Sequence, residues 1–91
     1  MKRGRSLKEF SYIIKDEMGI HARPAGLLVK ATGKYECKIK VQKGEKEADA
    51  KSILGIMGLG VKKGEEIIFR FEGTDEAEAS EAISIFLKES L

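Results

Sequence analysis

One proline fixes the first landmark of this chain. Pro24 is the only proline in the sequence, and it lies where the hydrophobic periodicity changes. Before it, Phe10, Tyr12 and Ile14 alternate with polar residues, the pattern of a half-buried strand. After it, Ala25, Leu27-Leu28-Val29 and Ala31-Thr32 recur at near-helical spacing. Proline breaks a helix interior but is tolerated in the first turn, where the missing N–H had no intrahelical partner. A helix therefore starts near Ala22, and His21, the only histidine, falls at its N-cap.

That placement has chemical consequences. The first turn of a helix presents free backbone N–H groups and the positive end of the helix dipole, which together suit an anion. Arg23 adds a forked cation that matches phosphate or carboxylate. A neutral imidazole is a nucleophile, and phosphoryl transfer asks mainly for positioning and charge stabilisation. A plainer reading is favoured on local grounds alone, in which His21 merely caps a helix beside a surface arginine.

The rest of the chain reads as a short α+β domain. Residues 8–15 form a first strand, and helix 22–32 stops at Gly33. Cys37, Ile39 and Val41 alternate within a second strand, 36–42. Lys43-Gly44 marks a turn into a polar third strand, 45–50, whose charges suit a sheet edge. Ser52 is a natural N-cap for a short second helix weakened by Gly55, Gly58 and Gly60. Ile67, Phe69 and Phe71 alternate in a fourth strand, 66–71. Asp75 and Glu76 open a third helix with acids at its positive end, and Ala79, Ala82-Ile83 and Phe86-Leu87 form its buried stripe. The order βαββαβα predicts helices laid on one face of a mostly antiparallel sheet.

Composition narrows the function classes. Ninety-one residues make one domain with one small core, and a net charge of +2 is too small to argue for nucleic acid. The single cysteine, Cys37, excludes an internal disulfide and a cysteine-rich metal site, so neither metal nor cofactor is expected. No apolar run approaches the ~20 residues of a membrane span. The basic start, Met1-Lys2-Arg3-Gly4-Arg5-Ser6, lacks the apolar core of a secretory signal, so a flexible tail over 1–7 and a cytoplasmic location are expected.

Two motifs carry a resemblance. Gly-Ile-His-Ala-Arg-Pro-Ala at 19–25 and Lys-Ser-Ile-Leu-Gly-Ile-Met-Gly-Leu at 51–59 closely resemble the HPr family. These are the histidine-containing phosphocarriers of the phosphoenolpyruvate-dependent sugar phosphotransferase system. The likeness runs from Phe10 to Leu87. It implies an open-faced sandwich with a four-stranded antiparallel sheet, ordered 1-4-2-3, and three helices on one side. It implies that His21 accepts a phosphoryl group on Nδ1 from phosphorylated enzyme I and passes it to IIA domains of sugar permeases. Arg23 would help hold the phosphate.

The resemblance also gives Ser52 a second role beside capping. In the Gram-positive branch the matching serine is phosphorylated from ATP by HPr kinase/phosphorylase. A phosphoserine carries about −1.5 to −2 charges, which a helix N-terminus tolerates. Such a change would slow transfer from enzyme I and create a site for a catabolite-repression regulator. Ile53, Leu54 and Met57 fall in the shared hydrophobic docking patch, although core packing of all three is the competing reading. Lys30 and Lys51 become rim charges that steer acidic partners. Gly26 belongs to the partner-binding surface and departs from the family, where a threonine or similar residue is common. A regulatory paralogue of the family lacks the active-site histidine, which this chain keeps.

Three function classes follow. The first is a monomeric phosphocarrier acting through His21. The second is a regulatory binding module acting through phosphorylated Ser52. The third, a basic nucleic-acid-binding domain, fits poorly because no aromatic cluster sits among the strand lysines to stack bases.

Overall fold

A computed structural model describes residues 8–91; the basic segment 1–7, expected as a tail, lies outside the described residues. The elements are β1 (Lys8–Ile13), α1 (Ala22–Thr32), β2 (Lys38–Lys43), β3 (Lys46–Asp49), α2 (Ile53–Gly58), β4 (Glu66–Glu72) and α3 (Glu76–Ser90). The sheet is antiparallel throughout, in the order β1-β4-β2-β3. Its charged third strand lies at an edge, as its sequence predicts.

Alternation decides which sheet face the helices cover. Phe10 opposes Phe69, and Val41 opposes Phe69 from the other side, so these residues point to one face. Phe10, Phe69 and Phe71 stack with ring centroids 5.6–6.2 Å apart. Ala25 and Leu28 of α1, Ile56 of α2, and Ala79, Ile83 and Leu87 of α3 close over them, all fully buried. The opposite face is open, and there Arg70 spans the sheet. Its guanidinium donates to Glu9 on β1 and Gln42 on β2 and pairs with Glu47 on β3.

Most strand ends shift by no more than one residue from the sequence reading, but two shift by two residues because tertiary partners capture the backbone. β2 begins at Lys38 rather than residue 36. The Glu36 and Cys37 amides donate instead to the two carboxylate oxygens of Asp75, each at 2.9 Å. β1 ends at Ile13 rather than residue 15, where the Lys15 and Asp16 amides turn to the Leu91 carbonyl oxygen. Gly33 does end α1, but in right-handed conformation with φ −65°, so the special freedom of glycine is not what stops the helix.

Asp75 therefore does more than charge a helix end. The Glu36 amide, aided by its neighbours at Cys37, holds its carboxyl below the usual carboxylate range. Burial, and then the carboxylate of Asp75, push the Cys37 thiol up to about 11. A buried thiol of that kind packs as a small hydrophobe and stays protonated at neutral pH.

Candidate functional site

The site is built on the first turn of α1. The chain reaches it through a tight turn in which the Asp16 carboxylate accepts from the Met18 amide and the Asp16 carbonyl from Gly19. Gly19 has φ +68°, a left-handed conformation that other residues rarely adopt. The turn is then stitched to the loop before β4, because the Ile20 amide donates to the Val61 carbonyl at 3.1 Å. Ile20 is buried, which anchors the chain immediately before His21.

His21 is the N-cap of α1, as expected, with extended backbone at φ −95° and ψ −171°. Its carbonyl accepts from the Ala25 amide at 3.0 Å. Its imidazole makes no capping hydrogen bond. The plain capping reading thus loses its physical basis, since the side chain satisfies none of the helix amides. Helix geometry leaves the amides of Ala22 and Arg23 without intrahelical acceptors. No acidic residue lies in the first turn, and Arg23 is exposed and in no ion pair among the described residues. A half-buried imidazole, free amides, a helix dipole and an unneutralised guanidinium can together receive and hold a dianion.

Leu27 and Lys30 follow Arg23 at helical spacing, and all three are exposed on one stripe of α1. Leu27 was not singled out by sequence. The signal was there, since three consecutive apolar residues cannot all face inward on one helix, and Leu28 takes the core. Gly26 is half-buried beside α2. A Cβ there would meet only the Ile53 Cδ1, at 3.8 Å.

Ser52 caps α2, with its Oγ accepting from the Gly55 amide at 3.0 Å. Within α2 the apolar residues divide. Ile56 is buried, whereas Ile53 and Met57 are about two-fifths exposed (40% and 41%) and Leu54 is 81% exposed. Core packing of the three is thereby excluded. Lys51, expected as a rim charge, also ties the fold together, because its Nζ donates to the Tyr35 carbonyl at 2.6 Å. Thr32 makes a parallel tie, its fully buried hydroxyl donating to the Ala50 carbonyl at 2.9 Å. The segment before Ser52 is thus bonded twice to the end of α1 and the loop that follows it. Sequence reasoning missed both ties because they join residues 16 and 18 positions apart.

Comparison with known proteins decides the family. A family model described as the PTS HPr component phosphorylation site matches residues 8–89. The chain belongs to the HPr family. It is 42% identical over 83 residues to the phosphocarrier protein HPr of Lysinibacillus sphaericus, covering 91% of this chain and 94% of the relative. Its fold matches a Mycoplasma histidine-containing phosphocarrier protein with a TM-score of 0.89 and 36% identity, over 91% of this chain and 94% of that one. HPr of Thermoanaerobacter tengcongensis, 43% identical, matches with a TM-score of 0.87 over 90% of this chain and 92% of that one. HPr from the same organism solved as a dimer matches less closely, at 0.73, over 90% and 94%. The four-stranded sheet, its 1-4-2-3 order and the βαββαβα succession are those of HPr structures. No helix among the described residues is long and apolar enough to cross a membrane.

Proposed function

We propose that this HPr-family protein carries a phosphoryl group on His21 between phosphorylated enzyme I and the IIA domains of sugar permeases. The observation that carries the reading is the first turn of α1, which joins a histidine free of capping duty to an unpaired arginine and no carboxylate. The imidazole Nδ1 lone pair attacks the phosphorus of the donor, forming the new N–P bond as the donor's bond to phosphorus breaks. The Ala22 and Arg23 amides and the Arg23 guanidinium then stabilise the dianion. Attack by a nucleophile of the IIA domain reverses the step and restores the free imidazole. No cofactor or metal takes part.

Exposed Ile53, Leu54 and Met57, with Leu27 and Gly26 beside them, form the docking surface for both partners. Lys30 acts at its rim by steering acidic partners, while Lys51 serves first as a tether. Ser52 is the regulatory site for an HPr kinase/phosphorylase. Its phosphate would place negative charge beside the exposed patch, which disfavours enzyme I and favours a catabolite-repression regulator. The protein works in the cytoplasm as a single-domain monomer over residues 1–91, without binding nucleic acid.

A purified-component assay tests the carrier role. With enzyme I and labelled phosphoenolpyruvate, wild-type protein takes label, His21→Ala takes none while remaining folded, and Ser52→Asp takes it more slowly. Label on folded His21→Ala would refute the carrier mechanism. Unchanged transfer kinetics in Ser52→Asp would refute the regulatory switch.

A further inference from the structure

Resting on the carrier reading above, we propose that Met18 is a partner-contact residue that sets recognition of the phosphoryl donor, extending the docking surface across His21 to the β1–α1 turn. Met18 is 71% exposed, more than any other large apolar residue described except Leu54. Its exposure is not a consequence of a slack loop. The Met18 amide is fixed on the Asp16 carboxylate at 2.8 Å, and Gly19 and Ile20 are bonded on either side of the turn to Asp16 and Val61. Ile20 is in the core, so the chain dips inward there and holds Met18 and His21 at the surface on its two sides. Three residues of extended chain span at most about 11 Å, which keeps Met18 within the footprint of any protein that reaches His21.

The chemistry matches the other side of the site. Leu27, Ile53, Leu54 and Met57 expose apolar surface on α1 and α2, and Met18 exposes more on the turn that leads into His21. A protein donor that delivers a phosphoryl group to His21 covers both the anion site and its surroundings, which excludes water. A flexible, polarizable thioether adapts to such a surface better than a rigid side chain. Isolated exposed hydrophobes need no explanation, but one held in a hydrogen-bonded turn three residues before His21 does.

Three substitutions test it with enzyme I and phosphoenolpyruvate, with thermal unfolding as the folding check. Met18→Gln keeps the side-chain length and removes its apolar character. Met18→Leu keeps the apolar character. Ile13→Gln makes the same polar change on the open sheet face, away from His21. The expected result is an apparent KM for enzyme I raised about tenfold in Met18→Gln with kcat retained, matching loss of one buried side chain. Met18→Leu stays within about twofold of wild type, as does Ile13→Gln. An unchanged KM in Met18→Gln, or an equal rise in Ile13→Gln, overturns the Met18 role while wild-type labelling leaves the carrier reading standing. Failure of wild-type protein to take label overturns the carrier reading, and the Met18 role with it.

Discussion

Gly19 faces the Val61 carbonyl so closely that a Cβ on residue 19 would stand 2.3 Å from that oxygen. The contact joins the turn before His21 to the loop before β4, and the hydrogen bond from Ile20 to Val61 adjoins it. At Gly19 the turn meets that loop backbone on backbone, with no side chain in the contact that could yield.

Gly19→Ala should therefore lose at least about 2 kcal/mol, from left-handed backbone strain plus a clash with Val61. Phosphoryl acceptance should fall further than the loss of folded protein explains, because relieving the clash moves Ile20 and His21. Urea unfolding and transfer kinetics on the same sample check both parts. Wild-type stability in this variant would show that the turn is not fixed in this way.

Gly26 has the opposite character. It lies in helical backbone, and its added Cβ meets only Ile53 at ordinary contact distance. Gly26→Ala should stabilise the domain by about 0.5–1 kcal/mol by restricting the unfolded chain. A rise in the urea midpoint with unchanged slope checks it.

The sequence carried the elements through their periods, and most of the core with them. Phe69, Val41, Leu28 and Ile83 are buried as alternation and helical spacing predict. It carried His21 and Arg23 because a proline marks the helix start, and Ser52 because short hydroxyl side chains cap helices. Contacts between distant residues were not legible. Asp75 reads as a first-turn acid, yet it holds amides 38 and 39 positions away. Lys51 reads as a surface charge, yet it reaches Tyr35. Which residues of α2 face outward likewise depends on where the short helix lands on the sheet.

Asp75 makes stability depend on acid. Its folded pKa lies below the ordinary value, so its contribution is fully present above the unfolded value and is lost as pH falls through the folded one. Glu65 behaves alike, held down by the Lys62 amide and then by Lys43. Unfolding midpoints should thus be level near neutrality and drop below about pH 4. Asp75→Asn should be less stable than wild type at pH 7, with the difference narrowing in acid. A difference that widens on acidification would contradict the assignment.

Lys51→Met keeps the aliphatic stem and removes the ammonium from the Tyr35 carbonyl. The account predicts a loss of about 1 kcal/mol in stability from the unmet hydrogen bond. Lys30→Met, which breaks no hydrogen bond among the described residues, should leave stability near wild type and slow association with enzyme I at low salt. Urea unfolding and salt-dependent kinetics on the two variants separate tether from steering charge.

The central claim is that His21 is a phosphoryl carrier, and intact mass is its most direct test. The protein is incubated with enzyme I and phosphoenolpyruvate, then weighed before and after brief acid treatment. The account predicts one added phosphate that acid removes, absent from folded His21→Ala. An unmodified mass, with the enzyme I shown active on another HPr, or an acid-stable phosphate retained in His21→Ala, would contradict it.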